Sequence, residues 1–173
     1  MPRPVDPAQF AVHFPAIAAG LSQAQLEALL DGVTRLVVSP GTQLIRYHGR
    51  SGQLYLVWSG RLRASLESGA HTLVLGDIGP GRWVGEVTVL DHGPATATVT
   101  AVEVSTLLAL ARDAFERLRA QHPAVAARLT QALARNLAQR LRRTHAGLVA
   151  ATSPSGWLGS AGLRLVGAER DAP

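Results

Sequence analysis

The sequence predicts a mainly β protein of the sandwich or jelly-roll type with flanking helices. Between residues 33 and 110, short runs rich in Leu, Val and Thr recur, and each is closed by Gly, Pro, Asp or Ser. Strands at such spacing are typical of sandwiches and barrels. Helical periodicity precedes and follows this region. We expect one folded unit, because 173 residues with 47% apolar composition support one sizeable core.

The β region divides into short strands. One of them, Arg61 to Glu67, alternates strictly between polar and apolar residues, which predicts a strand with one buried and one exposed face. The predicted strands span residues 34–38, 42–47, 54–58, 61–67, 72–75, 97–104 and 107–110.

Helical signals lie on both sides of the strands. Ser22 followed by Gln25 forms a capping-box pattern and predicts a helix over about residues 22 to 31. A short helix passes through Phe115 and ends near His122, and Pro123 suits the first turn of a long helix over 124–147. We therefore predict an N-terminal lead over 1–20, a domain over 21–148 and a flexible tail over 149–173 that contains Gly, Ser and Pro.

Composition narrows the function classes. The chain has no cysteine, no apolar leader and no uninterrupted apolar stretch that could span a membrane, so we expect a cytoplasmic protein. The six histidines are scattered without ligand spacing, and no nucleophile, base and orienting group occur together. We therefore expect no metal cofactor and no enzymatic activity.

The turn glycines carry a more specific signal. They lie in Pro40-Gly41, in Ser59-Gly60 and in the run from Pro80 to Glu86, and the segment from Gly85 to Val99 adds Gly-Glu, a short helix and a Thr-rich return. This ordered set resembles the cyclic-nucleotide-binding domain family, which includes catabolite-activator-type transcription factors and regulatory subunits of cyclic-nucleotide kinases. The resemblance covers about residues 10 to 148 and implies that family's β-roll. We call residues 85–99 the cassette, after the family's phosphate-binding cassette.

The chemistry of such a cassette follows from its residues. A glycine before a short helix lets backbone N–H groups approach an anion, and a carboxylate beside it, here Glu86, can accept a hydrogen bond from a sugar hydroxyl. The family places an arginine after these, whose guanidinium neutralises the cyclic phosphate. By this resemblance the predicted ligand-binding residues are Gly85, Glu86, Val87, Ala95, Thr96, Thr98 and Arg140.

This chain departs from the family pattern at that arginine. With Gly85 and Glu86 in register, the arginine position falls on Ala95, so ordinary cAMP binding is in doubt. Two purine-contacting positions of the long helix fall on Arg140 and Leu141, and neither keeps the family's hydroxyl group. Arg140, Arg82 or Arg63 could supply a positive charge in place of the missing guanidinium.

The long helix has two interpretations. Its apolar stripe either forms the seam of a homodimer or packs on its own β-roll; the stripe consists of Leu129, Leu133, Leu137, Leu141 and Leu148. Between Arg117 and Ala168 there are eight arginines and no acidic residue, so non-specific binding of nucleic acid is a third hypothesis. The tail is too short for the family's winged helix-turn-helix, and we expect no sequence-specific DNA binding.

The sequence favours two functions over non-specific binding of nucleic acid. The first is a non-enzymatic sensor of a cyclic nucleotide, a cyclic dinucleotide or another phosphate-bearing molecule, which reports to an effector protein through the long helix. The second is a degenerate interaction or dimerisation module that keeps the β-roll and binds no nucleotide. Ala95 is the residue that separates them.

Overall fold

A computed structural model of the protein describes residues 5–68 and 71–152. Three helices precede the strands, one short helix interrupts them and two follow them. These helices are α1 (Pro7–His13), α2 (Pro15–Ala18), α3 (Gln23–Leu30), α4 (Glu86–Leu90), α5 (Arg112–Gln121) and α6 (Pro123–Thr152). The strands are β1 (Val33–Val38), β2 (Gln43–Ile45), β3 (Gln53–Ser59), β4 (Leu62–Ser68), β5 (His71–Ile78), β6 (Trp83–Val84), β7 (Thr98–Ala101) and β8 (Ser105–Ala111).

The strands form two antiparallel four-stranded sheets. One sheet has the order β1-β8-β3-β6 and the other has the order β2-β7-β4-β5. Strands distant in sequence are neighbours in both sheets, as a jelly roll requires. The predicted fold class, a mainly β jelly roll with flanking helices and a long C-terminal helix, is confirmed.

The central part of β3 is buried on both faces. Along β3, Leu54 and Leu56 join a core that also contains residues of α1, α3, α5 and α6, whereas Tyr55 and Val57 join a second core between the two sheets. Successive side chains of a strand point to opposite faces. This explains why β3 reads as an uninterrupted apolar run and why β4, with its outer face exposed, alternates as predicted.

Local signals account for several helix ends. Ser22 and Gln25 make the predicted capping box, in which the Gln25 amide donates to Ser22 Oγ and the Ser22 amide donates to Gln25 Oε1. The predicted N-terminal lead over residues 1–20 contains α1 and α2. Both begin at a proline, and Asp6 caps α1 by accepting from the Ala8 amide.

The apolar stripe of α6 is divided along the helix. Leu129 and Leu133 are buried, at 1% and 0% exposure, in the core beneath the helices. The predicted homodimer through these two leucines is therefore wrong for them, because their surface is already covered by their own chain. Leu137 and Leu141 are 37% and 56% exposed. The helix also ends at Thr152 rather than near 147, and residues 153–173 of the predicted tail lie outside the described residues.

Candidate ligand-binding site

The cassette begins with a glycine that the backbone requires. Gly85 lies just after β6 with φ of 90°, in the left-handed region, and it is the N-cap of α4. A Cβ atom built at this position would lie 2.1 Å from the carbonyl oxygen of Gln53 on β3. Both the dihedral and this close approach exclude any side chain. The chain can therefore turn into α4 at this point because residue 85 is glycine.

Glu86 is the first residue of α4 and is buried, at 1% exposure. Its carboxylate therefore does not lie on the surface of the turn. The turn beside it is closed by Thr88, whose Oγ1 donates to the carbonyl oxygen of Gly85 at 3.0 Å. Val87 is half-buried and Val89 is buried in the core beneath. The five-residue helix is thus held by its apolar side, and its acidic first residue lies inside the protein.

The return segment of the cassette is held by the loop between β2 and β3. The Ala95 amide donates to the carbonyl oxygen of Gly49 at 2.8 Å, and the His48 amide donates to that of Ala95 at 2.9 Å. The Tyr47 amide donates to Thr98 Oγ1 at 3.1 Å. Ala95 and Thr98 are buried. The Thr98 hydroxyl therefore already accepts a structural hydrogen bond from the backbone.

A comparison with protein families identifies the segment that contains the β-roll, the short helix and the return segment. The family model described as the cyclic nucleotide-binding domain matches residues 35–122, about half of the chain. The chain belongs to the cyclic nucleotide-binding domain family. The match spans both sheets except for the first residues of β1, and it includes the whole cassette and α5.

Three relatives illustrate the range of proteins that contain such domains. The chain is 36% identical over 112 residues to the cyclic AMP receptor protein of Thermus thermophilus, which covers 64% of the chain and 51% of the receptor. It is 34% identical over 95 residues to lysophospholipase nte1 of Aspergillus fumigatus, covering 54% of the chain and 6% of that protein. A cyclic nucleotide-binding domain from Methylobacillus flagellatus has the same fold, with a TM-score of 0.77, 18% identity and coverage of 87% and 88%. The chain thus spans only part of the two longer relatives.

Six of the seven predicted ligand residues lie in the cassette, in two groups. Gly85, Glu86 and Val87 surround the start of α4, and the remaining three lie on the return segment, where Thr96 is exposed while Ala95 and Thr98 are buried. The seventh, Arg140, is an exposed residue of α6. It belongs to the second compact unit of the chain, residues 138–173, whereas the cassette belongs to the first.

Arg63, one of the arginines predicted to replace the missing guanidinium, already forms an ion pair with Asp77. Its Nε and Nη2 donate to the two carboxylate oxygens of Asp77 at 2.7 and 2.9 Å, across the β4–β5 pair. These hydrogen bonds hold the pKa of Asp77 below its ordinary value and raise the pKa of Arg63. Arg82 is exposed in the turn before β6.

Sequence reasoning missed Arg112, which holds the far end of the cassette helix. Arg112 is the first residue of α5, and its Nη2 donates to the carbonyl oxygen of Thr88 on α4. Its own amide donates to the carbonyl oxygen of Gly52 at 2.8 Å. A Cβ at Gly52 would lie 3.5 Å from the guanidinium carbon. Arg112 therefore links the start of α5 to α4 through its side chain and to the residue before β3 through its amide, and no local sequence pattern marks it.

Among the described residues, no group of three or more His, Asp or Glu side chains is placed to hold a metal ion. No helix within the described ranges is long and apolar enough to cross a membrane.

The close approach at Gly85 can be tested by substitution. Gly85→Ala should lower the free energy of unfolding by more than about 1 kcal/mol, because the new methyl group meets the Gln53 carbonyl and the left-handed dihedral disfavours alanine. Gly79→Ala is the control, since a Cβ there meets no atom within 4 Å. Urea denaturation of both variants measures the difference. Equal stability of the two variants would contradict this account of the cassette.

Proposed function

We propose that this domain is a non-enzymatic sensor of a phosphate-bearing small molecule, a cyclic nucleotide or cyclic dinucleotide being the leading class. The ligand enters beside Gly85, Glu86 and Thr96. The observation that carries the proposal is the complete burial of Glu86 at the start of α4. This burial holds the carboxylate inside the protein at the position that meets a sugar hydroxyl in this family, which favours a binding role.

Loss of the family arginine weakens cAMP binding without removing the rest of the site. A hydrogen bond to a charged group contributes about 1.5 to 3 kcal/mol. Since about 1.4 kcal/mol corresponds to a tenfold change in affinity, the loss of one such bond at position 95 lowers cAMP affinity by about one to two orders of magnitude. The natural ligand either binds weakly or carries features that other residues recognise. The relative from Thermus thermophilus is named a cyclic AMP receptor, which supports the ligand class.

A second function is favoured by the burial of the return segment. Ala95 and Ala97 are 5% and 8% exposed, and the Thr98 hydroxyl is engaged by the Tyr47 amide. If these small side chains fill the place of a ligand, the domain is an interaction or dimerisation module that binds no nucleotide. Both functions are regulatory, and in both an effector protein receives the signal.

Ligand binding is tested by thermal denaturation of the full chain with cAMP, cGMP, cyclic dinucleotides and linear nucleotides at millimolar concentration. We expect at least one cyclic compound to raise Tm, because a ligand that binds only the folded state stabilises it by mass action. Thr96→Val should reduce that shift, since it removes an exposed hydroxyl of the cassette. Thr34→Val, at an exposed position of β1, should leave the shift unchanged. No shift with any compound would reject the sensor and favour the interaction module.

We also propose that the exposed half of the α6 stripe pairs with a second copy of the chain. Leu137 and Leu141 are four residues apart on one helix, which places them on one face. Both leave substantial apolar surface in water, at 37% and 56% exposure. Burying such surface against the same surface of a second chain is the usual way in which helices form dimers.

The dimer is tested by light scattering. Leu141→Glu should shift the molar mass from that of a dimer to that of a monomer, because it places a charge in the apolar seam. Gln139→Glu adds the same charge at an exposed position on another face of α6 and should leave the dimer intact. A wild-type monomer, or a dimer that persists in Leu141→Glu, would show that these leucines do not form an interface.

A further inference from the structure

The loop between β2 and β3 carries three basic side chains within five residues. Arg46, His48 and Arg50 are all exposed. No acidic residue occurs from Gly32 to Leu66, so no carboxylate close in sequence offsets their charge. We call residues 46–50 the cationic loop.

The cationic loop has no ion-pair partner within the part of the chain that the structure describes. Other basic residues do form ion pairs, for example Arg63 with Asp77 and Arg119 with Glu116. Within the cassette the acidic residues are Glu86, which is buried, and Asp91, whose Oδ1 accepts from the Gly93 amide. Exposed arginines without a carboxylate partner remain available to an anion from solution.

The backbone of the cationic loop is joined to the cassette at the position that lacks the family arginine. Ala95 donates to Gly49 and accepts from His48, so residue 95 is bonded to the middle of the loop on both sides. The adjacent Tyr47 amide donates to Thr98 Oγ1. These three hydrogen bonds, between 2.8 and 3.1 Å, fix the loop against the return segment. The basic residues therefore lie within one or two positions of residues that contact Ala95.

The conformation of His48 is unusual for its residue type. Its φ of 60° lies in the left-handed region, which costs a non-glycine residue of order 1 kcal/mol or more and persists where surrounding contacts impose it. The imidazole packs edge-on against the Tyr47 ring, with centroids 4.0 Å apart. The loop thus presents one ordered aromatic pair between its two arginines, rather than three independent basic side chains.

We propose that the cationic loop supplies the positive charge for the ligand's phosphate that Ala95 lacks. This inference rests on the proposed sensor function and identifies the residues that would recognise its anionic ligand. Arginine is suited to the role because its planar guanidinium offers paired donors to phosphate oxygens. The charge would reach the phosphate from β2–β3 instead of from the cassette itself, so the cassette can retain its backbone and Glu86 while position 95 is alanine.

The test uses the full-length chain and two probes, cAMP and inorganic phosphate, followed by changes in backbone amide resonances. In the wild type, both probes should shift resonances of residues 46–50 and of Ala95. The double variant Arg46→Gln with Arg50→Gln should weaken both affinities at least tenfold, as expected when a charge-assisted hydrogen bond of about 1.5 kcal/mol or more is lost. The control, Arg35→Gln with Arg61→Gln, removes two exposed arginines outside the loop and should change either affinity less than twofold.

The outcomes separate this inference from the sensor function. Unchanged affinity in the loop variant, or equal loss in the control, would overturn the role of the loop while leaving the sensor in place. No shift of loop resonances by either probe would overturn it as well. A response to inorganic phosphate that depends on Arg46 and Arg50, with no nucleotide raising Tm, would support the anion site and reject the nucleotide sensor.

Discussion

The backbone of Gly85 passes so close to the carbonyl oxygen of Gln53 that no side chain fits between them. This contact sets the start of α4 against β3, a strand that contributes side chains to both cores. The position of the short helix is thus fixed by a strand whose central residues are buried on both faces. Glu86 follows directly and is carried into the interior by the same turn. The candidate site depends on this one close approach more than on any side-chain contact.

The other side of the site depends on the β2–β3 loop. Hydrogen bonds join this loop to Ala95 and Thr98. The strand before the loop, β2, pairs with β7, the strand that begins at Thr98. Arg112 holds the opposite end of α4 through the Thr88 carbonyl and also contacts Gly52, the residue that leads into β3. Hydrogen bonds therefore join the cassette to the β2–β3 loop on one side and to α5 on the other. The two apolar cores lie beneath these contacts. The candidate site is therefore connected to the start of α5 by a hydrogen bond from Arg112 to α4.

Much of the fold could be predicted because its signals are local. The Ser22 capping box, the alternation along β4 and the glycine before Glu86 each report on a few neighbouring residues. The separation of the α6 stripe into buried and exposed leucines could not be predicted, because it depends on where the other helices end. The pairing of Arg63 with Asp77 depends on the β4–β5 register. The start of α1 did carry a local signal, because Asp6 followed by Pro7 is typical of a helix start. The Pro-rich composition of this segment hid that signal.

We propose that the cassette keeps the family's architecture and lacks one cation, at position 95. The most direct measurement is the affinity for cAMP of wild type, Ala95→Arg and Ala95→Met, by calorimetry at one salt concentration. The account predicts that Ala95→Arg binds at least tenfold more tightly than wild type, and that Ala95→Met, which adds bulk without charge, does not. A folded Ala95→Arg variant with no gain in affinity would contradict the claim and indicate a closed pocket and an interaction module.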